Sequence, residues 1–77
     1  MANQALHVVW EDPQWAVKKP NTSTAMSKHN TQDQAIEAAR TWLRRNGGGE
    51  LIVHGKDGKI SRRDTVPPGN DPYPPRG

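Results

Sequence analysis

Between Leu6 and Glu11 the chain alternates, with Leu6, Val8 and Trp10 on one side and His7, Val9 and Glu11 on the other. That is the two-residue period of a strand with one face toward a core. The period returns at Trp15 to Lys18, where Trp15 and Val17 share a face. The connection Glu11 to Gln14 is short and holds Pro13, which ends the ladder, so the two stretches predict an antiparallel hairpin. Pro20 and Asn21 break the pattern. Thr22 to His29 then predicts a weaker third strand, with Met26 as its only large apolar residue.

The period then changes from two to between three and four. Ala35, Ile36, Ala39, Trp42 and Leu43 gather into one apolar stripe, wide enough to cover a sheet. Thr31 followed by Gln34 fits a capping box, in which the Thr oxygen takes one orphan N–H and the Gln amide reaches back. Asp33 near the start and Arg40, Arg44 and Arg45 toward the end complement the helix dipole. Gly47 supplies the left-handed exit. These signals predict a helix over Thr31 to Gly47, with Asn46 to Gly49 as a flexible exit.

Glu50 to His54 reads as a strand, and its consecutive Leu51, Ile52 and Val53 predict burial on more than one side. Asp57-Gly58, within Lys56 to Lys59, predicts a type I′ hairpin leading into a last strand, Lys59 to Arg63, with Ile60 facing in. From Val66 onward the chain holds five of its seven prolines. Proline neither donates to a ladder nor continues a helix, so this stretch predicts an extended, mostly mobile tail, and removal of Pro67 to Gly77 is expected to leave the fold intact.

The element order is β-β-β-α-β-β. A helical crossover between the third and fourth strands makes the fourth parallel to the first. The simplest sheet has the order 3-2-1-4-5 with the helix across one face: an α+β fold, one domain over residues 1–66 and a proline-rich tail over 67–77.

Composition narrows the picture. A chain of 77 residues makes one small domain. It has no cysteine, so disulfides and thiolate zinc sites are both excluded. Nothing resembles a signal peptide, and no apolar run approaches the ~20 residues that span a bilayer. The chain therefore reads as cytoplasmic, with no membrane partner. The net charge is +3 and the pI about 9.7, which permits attraction to nucleic acid without demanding it.

Candidate chemistry is sparse. His7, His29 and His54 lie on separate elements without paired ligand spacing, so no metal site is assigned. Gly47-Gly48-Gly49 follows a helix instead of preceding one, which argues against a phosphate loop. Asp57 and Asp64 flank a hairpin with no sign of a shared pocket, and turn chemistry accounts for Asp57. No Ser, Thr or Lys has an identifiable base. An enzyme is not expected, and no catalytic or cofactor-binding residue is assigned. Trp15 and Trp42 read as core, and Trp42 as its anchor; Trp10, beside an acidic turn, is the one left for contact.

The segments H-V-V, W-A-V-K, T-Q-x-x-A-I-E-A-A-R, G-G-G-E-L-I-V-H-G-K-D-G-K-I and G-N-D-P-Y-P-P-R-G together resemble a small bacterial and phage family catalogued as a domain of unknown function, number twenty-one eighty-eight. The resemblance implies one compact α+β domain and carries over no catalytic residue. The strand-strand-strand-helix half also resembles, in element order, the sheet-reading DNA-binding modules of integrase arms and plant transcription factors.

The cations are the informative group that remains. If the helix covers one side of the sheet, Lys18 shares the other with the basic hairpin, giving a nucleic-acid-binding set of Lys18, Lys56, Lys59, Arg62 and Arg63. The functional expectation is a small non-enzymatic accessory module with weak, largely non-specific nucleic-acid binding. With ~4–6 phosphate contacts, log K should fall against log salt with a slope of about −4 to −5. The alternative is a protein-interaction or regulatory module that uses the exposed sheet or the tail, where Pro72 to Pro75 with Tyr73 looks like a ligand for an aromatic groove.

Overall fold

The computed structural model describes residues 4–68. Five strands and one helix follow in the order β1 (Ala5–Glu11), β2 (Gln14–Lys18), β3 (Ala25–His29), α1 (Gln32–Arg45), β4 (Gly49–His54) and β5 (Ile60–Val66). They form one sheet in the order β3-β2-β1-β4-β5 with α1 on one face, the arrangement that the alternating and helical periods predict. β1 and β4 are the one adjacent pair that runs parallel, because the helical crossover leads from β3 into β4 and β3 already points the same way as β1.

Alternation sorts the sheet into two faces. Leu6 and Val8 of β1, Trp15 and Val17 of β2, and Leu51 and Val53 of β4 turn toward α1, which meets them with Ala35, Ile36, Ala39 and Leu43. Each fully buried Leu or Val here stabilises by ~1.5–3 kcal/mol. At the start of α1, Thr31 Oγ1 accepts the Gln34 N–H at 3.1 Å, which is the forward half of the expected capping box; among the described residues the Gln34 amide makes no return bond. Its end is a Schellman motif, because Gly47 is left-handed (φ 97°) and the Gly48 N–H returns to the Leu43 carbonyl at 2.6 Å.

Several details differ from the sequence reading, each for a local reason. Trp42 is half-buried at the flank of the stripe rather than its anchor, and the Lys19 ammonium lies 5.3 Å from its ring. Ile52 lies between inward Leu51 and Val53, so it turns to the uncovered face and is half-buried there. Thr22 does not start β3. Its hydroxyl bonds the Lys19 and Thr24 carbonyls in a turn, and a bulge at Val17/Lys18 ends the pairing at Ala25.

The last hairpin is not type I′, because Asp57 does not take positive φ and Gly58 does (87°). Gly58 N–H bonds Gly55 O, and Gly55 N–H bonds Lys59 O, which makes a three-residue loop ending in a left-handed glycine. A bulge at Val53/His54 resets the register beyond it. Ile60, expected inside, therefore pairs with His54 on the uncovered face and is 50% exposed. β5 runs on past Arg63 to Val66, which is buried in the core.

The Asn46 to Gly49 exit is tightly packed. A Cβ on Gly48 would lie 2.6 Å from Val66 O and 2.9 Å from Pro68 N, and one on Gly49 would run into Gln4 O. Gln4 Nε2 also donates to Gly48 O at 3.0 Å. Pro67 and Pro68 are exposed; the tail expected over 67–77, Pro72 to Pro75 and Tyr73 included, otherwise lies outside the described residues.

Candidate nucleic-acid interface

The face of the sheet opposite α1 has no layer over it among the described residues. Parity and register place His7, Val9 and Glu11 of β1 there, with Ala16 and Lys18 of β2. Lys28 of β3, Ile52 and His54 of β4, and Arg63 of β5 join them. Ala16 is buried yet takes no part in the core cluster, because its cover comes from neighbours on this second face.

One end of the face is organised by Glu11. Its carboxylate is paired with Lys18 and lies 3.6 Å from the Lys28 ammonium. The hydrogen bond from Lys18 holds the Glu11 carboxyl below the usual carboxylate range, against a smaller opposing effect of desolvation, and the charges of Lys18 and Lys28 add to it. One carboxylate between two ammoniums leaves a net positive charge, with both lysines held in place.

His7 and His54 meet at the centre. The Nδ1 of His7 lies 2.9 Å from the Nε2 of His54, and the ring centroids are 5.2 Å apart. A centroid separation that long at so short a contact means the rings meet end to end, not face to face. His54 Nδ1 lies 3.2 Å from Gly58 O, and a carbonyl only accepts, so that nitrogen carries the proton. Nε2 of His54 then accepts from His7 Nδ1–H. Burial pushes the His7 imidazole below its usual range, and the neighbouring His54 pushes it further. The shared bond therefore runs one way, from the His7 Nδ1–H to the His54 Nε2.

The five residues expected to form the basic set are not all brought together. Lys18 and Arg63 are on the uncovered face. Lys59 is exposed in the hairpin loop, where its N–H bonds Asp57 Oδ1 at 3.1 Å. Lys56 folds back so that its ammonium lies 4.4 Å from the Trp10 ring, and Trp10 itself packs edge-on against Trp15. Arg62 is on the other side: it pairs with inward Val53, and its Nε lies 3.3 Å from Asp64, which Arg40 of α1 approaches at 3.8 Å.

Adjacent strand residues point to opposite faces, so Arg62 and Arg63 cannot share one. The same parity gives Lys28 a position beside Lys18 and sets His7 next to β4, both missed when cations were grouped by segment. Among the described residues no group of three or more His, Cys, Asp and Glu side chains is gathered to hold a metal ion. No described helix is long and apolar enough to cross a membrane.

No curated protein and no solved structure matches the chain. A family described as an uncharacterised protein conserved in bacteria (DUF2188) matches residues 6–66, most of the chain and nearly all of the folded unit from β1 to the end of β5. The chain belongs to that family.

Proposed function

We propose that the protein is a small non-enzymatic module that binds nucleic acid through the uncovered sheet face, with little sequence preference. The observation that supports this is the distribution of charge on that face. Lys18 and Lys28 at one side and Arg63 at the other flank a centre of Val9, Ile52 and the His7–His54 pair, with Lys59 beside the hairpin loop. Phosphates are the groups that such spaced cations neutralise. The same reading sets the protein in the cytoplasm.

With Arg62 turned away and Lys56 held over Trp10, ~3–4 phosphate contacts remain, and the slope of log K against log salt on duplex DNA should be about −3. A titration of random-sequence duplex at low and moderate salt tests this. Lys18→Gln with Arg63→Gln should weaken binding on every sequence alike. No binding at low salt would overturn the proposal.

A further inference from the structure

β5 is an edge strand seven residues long, and among the described residues nothing pairs with its outer edge. Long free edges recruit further strands unless they are blocked by charge, bulges or a covering layer. The one bulge in the β4–β5 ladder lies beside the hairpin turn, at Val53/His54, and α1 touches β5 less than any other strand; the charges on β5 itself, Arg62, Arg63 and Asp64, are net positive and so turn away a basic strand but not an acidic one. The helix therefore leaves a groove of about 400 Å³ between itself and β5, lined by Arg40, Arg44, Asp64, Val66 and Pro67.

Cations outnumber carboxylates along this groove. Arg40 and Arg44 stand one turn apart on α1, and Arg62 projects from β5 on the same side of the sheet. Asp64 lies 3.3 Å from Arg62 and 3.8 Å from Arg40, longer than the ~2.7–2.9 Å of a charge-assisted hydrogen bond. Arg40 also has Glu37 at 3.6 Å, while Arg44 has no carboxylate within ion-pair distance among the described residues. Arg63 flanks the same edge from the opposite face. A strand added here would direct its side chains alternately toward the helix-side arginines and toward Arg63.

We propose that the free edge of β5, with the groove between β5 and α1, is a docking site for an extended acidic peptide that adds a sixth strand to the sheet. Main-chain pairing supplies the affinity, and the arginines select carboxylates. The site shares Arg63 with the face proposed for nucleic acid, but it rests on the free edge and the helix-side arginines and does not depend on that reading.

The probe is a capped peptide of alternating glutamate and threonine, matched to the seven residues of β5. Two controls accompany it: the lysine-threonine counterpart, and the same acidic peptide methylated on alternate backbone nitrogens. Binding is read by fluorescence anisotropy and by amide shifts of the isotope-labelled protein. The acidic peptide should shift the amides of β5 and of Arg40 and Arg44, and both controls should fail to bind. Arg44→Gln with Arg62→Gln, at exposed positions, should keep the parent melting temperature and weaken the peptide roughly tenfold.

The proposal is overturned if the methylated peptide binds equally well, since charge alone would then suffice, or if the shifts fall on Lys18 and Lys28 instead. It is also overturned by no shift at millimolar peptide. Stronger shifts of the Arg40 and Arg44 amides by duplex DNA, or a dimer through β5 that the peptide does not dissociate, would assign the groove to another occupant.

Discussion

His7 and His54 share one hydrogen bond, and its proton inventory fixes how acid acts on it. A proton added at the far nitrogen of His7 leaves the bond in place, because the His7 Nδ1–H still donates to His54. Because the folded state holds His7 below its ordinary pKa of 6.5, the unfolded chain takes up the proton first as pH falls. Stability attributable to this residue is thus complete above about pH 6.5 and is lost as pH falls through the lower folded value. Urea titrations at neutral pH and near pH 5 should show a smaller acid loss in His7→Gln than in the parent. Equal losses would mean that the pair carries none of the acid sensitivity.

Trp42 and Leu43 are adjacent on the helix, but only Leu43 is fully buried. Leu43→Ala should cost ~2–5 kcal/mol, and Trp42→Ala, which uncovers a flank without opening a closed cavity, roughly half as much. Calorimetric melting of the two variants side by side checks the ranking. The helical spacing identified both residues as one stripe. It did not say which member lies over the centre of the sheet, because that depends on how the helix is rolled, and roll is set by tertiary contact.

Elements with two independent signals were legible in the chain. α1 had both a period and caps, and β1 with β2 had both alternation and a short proline turn, so their faces follow directly from the residues. The limits of β3 and β5 rested on one signal each, and bulges in the β2–β3 and β4–β5 ladders shifted what the alternation implied. The glycine run was read for its freedom alone, since nothing local announces that Val66, Pro68 and Gln4 come against it. Gly48 and Gly58 separate the two roles. Their φ angles are 84° and 87°, but a Cβ on Gly58 meets nothing within 4 Å, whereas one on Gly48 meets backbone. Gly58→Ala should cost about 1 kcal/mol, the left-handed penalty alone, and Gly48→Ala at least ~2 kcal/mol, as measured by chemical denaturation.

Across the whole molecule, the sheet separates two basic surfaces that share a strand. Arg63 faces the uncovered side and Arg62 the helix side, so neighbouring substitutions should have separate effects. Arg63→Glu should weaken duplex binding several-fold at low salt and Arg62→Glu should spare it, with the reverse order for charge selection in the β5 groove. If both substitutions weakened duplex binding equally, the ligand would be wrapping the edge instead of lying on one face. The uncovered face itself was foreseeable from one helix and five strands. The division of cations between the faces needed the register.

The glycine pair at the start of β4 has a consequence for how the fold can be handled. Gln4, where the described chain enters, comes against Gly49, and Pro68, where it leaves, against Gly48, so entrance and departure stand side by side at one end of the sheet. A fold with that geometry can be spliced as a cassette into a surface loop of another protein without prising its host apart. It can also be closed into a ring through a short glycine linker from Pro68 to Gln4 and reopened between Asp57 and Gly58, in an exposed loop. Such a permuted chain should melt cooperatively with the same far-ultraviolet dichroism as the parent, and a permutant without a cooperative transition would show that the order of synthesis matters to this sheet.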